Sequence, residues 1–156
     1  MEIILLEESN MNKQIILSHF LSAIIMGQEI FLIYKDKAQD EKLKNIIEDF
    51  INSLINQKKE MEKYIYKTFQ INEELSLLQK NALILEKIKT KKINNDYSLC
   101  INIIKTMNKA IVGALNYFYK CDKEIRSNIK EIVENTLSNY DNIIGKLKNY
   151  IIKDLS

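Results

Sequence analysis

The stretch DEKLKNIIEDFINSLINQKKEMEKYI, from Asp40 to Ile65, decides the fold class. Leu43, Ile47, Phe50, Leu54, Met61 and Ile65 form one apolar stripe at helical spacing, widened by Ile46, Ile51 and Tyr64. Asn45, Asp49, Asn52, Asn56, Lys59 and Lys63 fill the opposite side. That arrangement puts the apolar side chains on one face of an α-helix and the polar ones toward water. Asp40 supplies the short side-chain acceptor that helix starts favour. A helix is predicted over 41–67.

The rest of the chain carries the same signature. It has 156 residues, no proline and only three glycines, where average usage gives roughly 8 and 11. Without the two main breakers the elements are long. Upstream, a helix is predicted over 11–35, capped at Ser9 or Asn10, with a turn across 36–40. Downstream, Asn72 followed by two glutamates opens a linker helix to about residue 89, bearing Leu75, Leu78, Leu85 and Ile88. Residues 90–96 read as the clearest loop. A third long helix follows over 97–120, with Cys100, Ile104, Met107, Ile111 and Phe118 as its seam. After a polar turn at 121–123 a fourth covers 124–153, with Ile129, Val133, Leu137, Tyr140, Ile143, Leu147 and Ile151. The expectation is a single all-α domain over 1–156. Hairpin one spans 11–68, the crossover 69–96 and hairpin two 97–153, packed as a four-helix bundle with a linker helix in the crossover.

The two hairpins also align on each other. A shift of 86 residues carries Gly27 onto Gly113, Ile15 onto Ile101 and Ile25 onto Ile111. It also carries Asn56, Tyr64 and Ile65 onto Asn142, Tyr150 and Ile151. Several matched positions face solvent, where shared amphipathicity does not require a match, so duplication of one hairpin is the preferred reading.

Charge and cysteine content narrow the function classes. A net charge of +2 is not that of a strongly basic nucleic-acid binder. The lysines Lys87, Lys89, Lys91 and Lys92, near Lys80, read as a solvated helix end that complements the dipole. Cys100 and Cys121 on one continuous helix stand about 31 Å apart at 1.5 Å per residue, far beyond disulfide reach, which fits a reducing compartment. The apolar run 15–33 contains Ser18, His19, Ser22, Gln28 and Glu29 and follows three glutamates. A core helix is therefore expected, with neither membrane insertion nor an export signal.

The stretch Gly27-Gln-Glu29-Ile-Phe through Tyr34, leading into Asp40-Glu-Lys-Leu43, resembles small bacterial ferritin-like domains of the uncharacterised and spore-coat-associated kind. The run from Glu124-Ile-Arg126 through Tyr140 to Tyr150 carries the rest of the resemblance. Metal-binding members place a Glu on each of two helices and a Glu-x-x-His on each of the other two. Here the resemblance puts Glu29 on the first helix, Leu54-x-x-Gln57 on the second, Leu115 on the third and Tyr140-x-x-Ile143 on the fourth. A di-iron set is absent from those positions, so no metal and no cofactor is expected. A modified site at Glu29 and Gln57 is the metal-binding alternative.

No catalytic residue is assigned. Phosphate-binding glycine loops and nucleophile elbows are missing, and His19 is the sole histidine. His19 reads as a boundary residue hydrogen-bonded to a neighbour. Tyr34, Tyr64, Tyr140 and Tyr150 fall on or beside the seams as core filling. One anomaly stands out: the first helix is apolar nearly all round, with Ile15, Met26 and Ile33 on one face and Leu17, Leu21, Ile24 and Phe31 on others. Either the linker helix or a second subunit covers it.

The expected function is a non-catalytic helical bundle acting through protein–protein contacts, as a homodimer or with a protein partner. Ile15, Met26 and Ile33 are the interface candidates, and no nucleic acid is expected. A cytoplasmic setting follows from composition, and a stress or spore-coat role only from the resemblance. The alternative is a small-ligand or metal-binding bundle with its site near Glu29, Gln57 and Tyr140.

Overall fold

A computed structural model describes residues 2–64 and 75–155, with side chains from residue 12 onward. Five helices follow one another: α1 Glu2–Lys37, α2 Glu41–Glu62, α3 Leu77–Lys91, α4 Asp96–Lys120 and α5 Lys123–Lys153. The protein is all-α, with no strand among the described residues.

Four short polar side chains start the last four helices. Asp40 accepts from the Lys42 N–H, Asn95 from Ser98 and Asp122 from Ile125. Ser76 forms a reciprocal capping box with Gln79. Each cap satisfies a backbone donor that the first helical turn leaves without a partner. The turn between α1 and α2 is held from outside. Asp96 accepts from the Gln39 and Asp40 N–H groups at 2.9 Å each, and the Tyr150 hydroxyl donates to Asp40 at 2.7 Å.

Some expected boundaries move. The first helix has no break at Ser9 or Asn10 and begins at Glu2, nine residues ahead of the predicted start. Nothing in 2–10 is a proline or glycine, so the hydrogen-bond ladder continues through a cap-like pair. The second helix ends at Glu62 rather than 67, and 65–67 lie outside the described residues. The linker start at Asn72 also lies outside them, and α3 begins at Leu77, capped by Ser76 with Gln79. The predicted loop 90–96 shrinks because α3 runs on to Lys91 and α4 starts at Asp96.

The core explains the anomalous first helix. α1 packs on α2, α3, α4 and α5, so it meets apolar neighbours on most sides. Leu17, Leu21, Ile24, Phe31 and Tyr34 are all buried. The linker helix α3 lies against α1, the first of the two coverings the sequence allowed. The stretch 12–37 of α1 also holds an 18-residue window of mean hydropathy 1.7, long and apolar enough to cross a membrane, a test that core helices pass as well.

Leu43, Ile47, Phe50, Leu54 and Met61 of α2 are buried as the stripe predicts, but Tyr64 is 57% exposed. In α4 the seam turns by a residue. Leu99, Cys100, Ile103 and Met107 are buried, while Ile104, Ile111 and Phe118 are only partly covered. In α5 the buried line is Ile129, Val133, Thr136, Tyr140, Ile143, Leu147 and Tyr150, with Leu137 and Ile151 at its edge. The 86-residue shift carries Leu17, Leu21, Leu43, Ile47, Leu54 and Met61 onto Ile103, Met107, Ile129, Val133, Tyr140 and Leu147. Both members of every pair are buried.

Candidate functional site

Between α1 and α4 lies a cavity of about 390 Å³, within the size range of small-molecule sites. Its origin is a shortage of side-chain volume. Ala23 and Gly27 of α1 look toward Ala110, Gly113 and Ala114 of α4, and all five line the space. Helices separated by the larger residues elsewhere on them leave a gap where such small ones meet. Phe50 and Leu54 of α2 and Thr136 and Tyr140 of α5 close the floor, and Gln79 of α3 reaches the rim.

The wall is apolar and aromatic with few polar groups. Met26, Ile30, Phe31 and Met107 supply apolar surface. At one side His19 stacks on Tyr117, ring centroids 4.0 Å apart and 9° from parallel, and Phe20 meets Tyr117 edge-on at 5.6 Å. Partial burial of the ring lowers the His19 pKa below the usual histidine value. Its neighbour is thus a ring, not the hydrogen-bonding partner that the sequence suggests. Burial raises the Tyr140 pKa.

Three polar side chains of the wall are engaged by the protein. Thr106 Oγ1 donates to the Asn102 carbonyl at 2.9 Å. Thr136 Oγ1 donates to the Ile132 carbonyl and accepts from Gln57 Nε2. Gln79 Nε2 donates to Ser22 Oγ at 2.7 Å. These bonds turn Thr106, Thr136 and Gln79 toward the protein, and the rest of the wall is mainly apolar and aromatic.

One polar clamp fastens α3 beside the cavity. Glu86 Oε1 accepts from the Tyr34 hydroxyl at 2.7 Å and from Asn102 Nδ2 at 3.0 Å, joining α3 to α1 and α4. Burial, with Glu86 adding to it, keeps the Tyr34 hydroxyl protonated well above the ordinary tyrosine range. Sequence reasoning passed over Glu86. Its signal is visible in hindsight: it is the only acid in the lysine-rich α3.

The residues singled out from the sequence do not converge. Glu29 is exposed. Gln57 donates to Thr136 and accepts from Asn139 at 3.2 Å, beside a separate cleft between α2 and α5. Tyr140 alone of the three lines the main cavity. Leu115, expected inside, is 46% exposed, because the helical period gives Met107, Ala110 and Ala114 the inner face of α4. Leu54, Tyr140 and Ile143 are inside. Of the interface candidates, Ile15 is 53% exposed, Met26 borders the cavity, and Ile33 borders a cleft beside α3. Among the described residues no three His, Cys, Asp or Glu side chains gather as a metal site. Cys100 is buried and Cys121 partly covered, both as free thiols.

No protein-family model, curated protein or solved structure matches the chain.

Proposed function

We propose that the protein is a non-enzymatic binding module that takes an apolar, ring-containing small molecule into the cavity between α1 and α4. In this reading α1, α2, α4 and α5 form a ferritin-like four-helix bundle, with α3 as the crossover. The interior that would hold metal in such a bundle holds an organic ligand instead. The observation that carries the reading is a cavity of about 390 Å³ lined by apolar and aromatic side chains. Tyr117 and His19 offer flat faces for stacking, and the Tyr140 ring lies opposite on α5.

The test is saturable binding of anilinonaphthalene sulfonate, followed by its fluorescence, with unmodified protein and with Ala110→Phe and Ala114→Leu. Stoichiometric binding is expected, together with a loss of at least about tenfold in affinity in the filled variants. Binding that is unsaturable, or unchanged in both, sinks the proposal.

A second reading, action through protein–protein contacts, is favoured by one observation. Val112, Leu115 and Tyr119 line the outer face of α4 at helical spacing and are all exposed. Light scattering of the protein and of Val112→Asp tests it. A dimer converted to monomer supports the contact, and a monomer throughout removes self-association.

A further inference from the structure

The linker helix α3 covers α1 with one face and turns an apolar face to solvent with the other. Gln79, Leu83, Glu86 and Thr90 point inward, at three- and four-residue spacing. The helical period then sends Leu77, Asn81, Ile84, Leu85 and Ile88 outward. Leu77 is 76% exposed and Leu85 67%, and Leu78 at the edge is 80% exposed. Five large apolar chains on a helix of 15 residues are far more than scattered surface residues require.

The flanks of this stripe are basic. Lys80, Lys87 and Lys91 run down one side, Lys89 stands on the other, and Lys92 closes the end. The single acid of the helix, Glu86, is turned inward and occupied by Tyr34 and Asn102. The outer face therefore carries apolar groups bordered by lysines that make no ion pair among the described residues. A cleft of about 260 Å³ continues it at the C-terminal end, where Lys87 and Lys91 meet Lys37, Asp36 and Ile33 of α1. The Thr90 hydroxyl, 2% exposed, borders this cleft with no hydrogen-bond partner among the described residues.

Charge decides what covers the stripe. A second copy would bring lysines against lysines. Nucleic acid would meet the lysines but leave the leucines and isoleucines in water. An anionic lipid surface answers both features at once: the apolar chains enter the acyl boundary while the lysines reach the headgroups.

We infer that α3 is a peripheral membrane-docking element, which seats the protein flat on anionic lipid without any helix spanning the bilayer. This is independent of what the cavity binds. Docking on α3 also brings the Gln79 rim of the cavity close to the lipid.

The chain has no tryptophan, so Leu85→Trp provides a single fluorophore on the stripe. Its emission should shift to the blue on vesicles of phosphatidylcholine and phosphatidylglycerol in equal parts. It should stay unshifted on phosphatidylcholine alone, and the shift should fade as salt rises. Asn56→Trp on the outer side of α2 should not respond. The unmodified chain should co-sediment with the same anionic vesicles, which makes the test independent of the tryptophan variant folding. Lys87→Gln with Lys89→Gln should weaken docking roughly thirtyfold, and Ile84→Ser with Ile88→Ser should abolish it with circular dichroism unchanged.

No co-sedimentation of the unmodified chain overturns the inference. So does equal binding to neutral vesicles, or a blue shift that depends on protein concentration without vesicles and marks a second copy. Binding to single-stranded DNA that survives the Ile84 and Ile88 changes would assign the lysines to nucleic acid and overturn it as well.

Discussion

The two halves of the molecule, α1–α2 and α4–α5, share a buried register but differ in what surrounds them. α1 packs on α2, α3, α4 and α5 and buries Leu17, Leu21, Ile24, Phe31 and Tyr34, while Ile15, Glu29 and Leu32 stay exposed. α4 packs chiefly on α5 and leaves Val112, Leu115 and Tyr119 in solvent. The paired glycines show the difference at atomic scale. A Cβ on Gly27 would lie 3.2 Å from Leu54 Cδ1, whereas one on Gly113 would meet nothing within 4 Å. The paired tyrosines differ too: Tyr150 is buried and bonded to Asp40, while Tyr64 is exposed. The same amphipathic pattern thus buries equivalent positions in both halves, while the contacts around individual paired residues differ.

The deepest shared positions test the common register. Leu43→Ala and Ile129→Ala should each cost about 3 kcal/mol, since both side chains are fully buried at equivalent places. Urea denaturation measures both, and a cost below about 1 kcal/mol at either one would break the equivalence.

The covering of α1 is tested next. Glu86→Ala should cost about 2 kcal/mol, because it leaves the Asn102 amide without its acceptor and the Tyr34 hydroxyl with only the longer contact to Thr106 Oγ1 at 3.2 Å. Faster hydrogen exchange confined to α3 and the α1 face beneath it would locate the effect. Glu86→Gln keeps an acceptor oxygen and should lose less.

A smaller effect separates the paired tyrosines. Tyr150→Phe should cost about 1 kcal/mol and Tyr64→Phe nothing measurable. Burial, then the bond to Asp40, raises the Tyr150 pKa in the folded state. In alkali the unfolded chain therefore ionises first. The stabilisation is full below the unfolded tyrosine pKa, near 10, and is lost as pH rises above it. Tyr150→Phe should flatten that alkaline decline in a pH series of thermal melts, and an unchanged slope would contradict the assignment.

The smallest effect concerns the glycines. Gly113→Ala should stabilise by about 0.5–1 kcal/mol through helix propensity alone. Gly27→Ala should gain less or lose, because Leu54 has to give way. Equal gains at both sites would remove the contrast between the two paired glycines.

Most of the helices were legible because their signals are local. The Asp40 cap, the Leu43–Met61 stripe and the long elements of a chain without proline all act within a turn or two of helix. The start of α1 was misread because a serine and an asparagine resemble a cap, yet nothing beside them breaks the helix. The site was less legible. Tyr140 was named and lines the cavity, but Glu29 faces water and Leu115 points outward. A cavity has no motif of its own. It arises where Ala23 and Gly27 happen to face Ala110, Gly113 and Ala114 across two helices far apart in sequence.

The sequence by itself determined that the chain is helical, where the breaks between α1 and α2, α3 and α4, and α4 and α5 fall within a few residues, and which side of α2 and α5 is buried. Those properties follow from period and propensity along one strand of backbone. Only the tertiary structure decided that α3 lies on α1, that Glu86 is its fastening, and that small residues of α1 and α4 leave a space between them. It also decided that Leu77, Ile84, Leu85 and Ile88 face water. An apolar residue at helical spacing says that its helix has a face; which neighbour covers that face depends on how the other helices close around it.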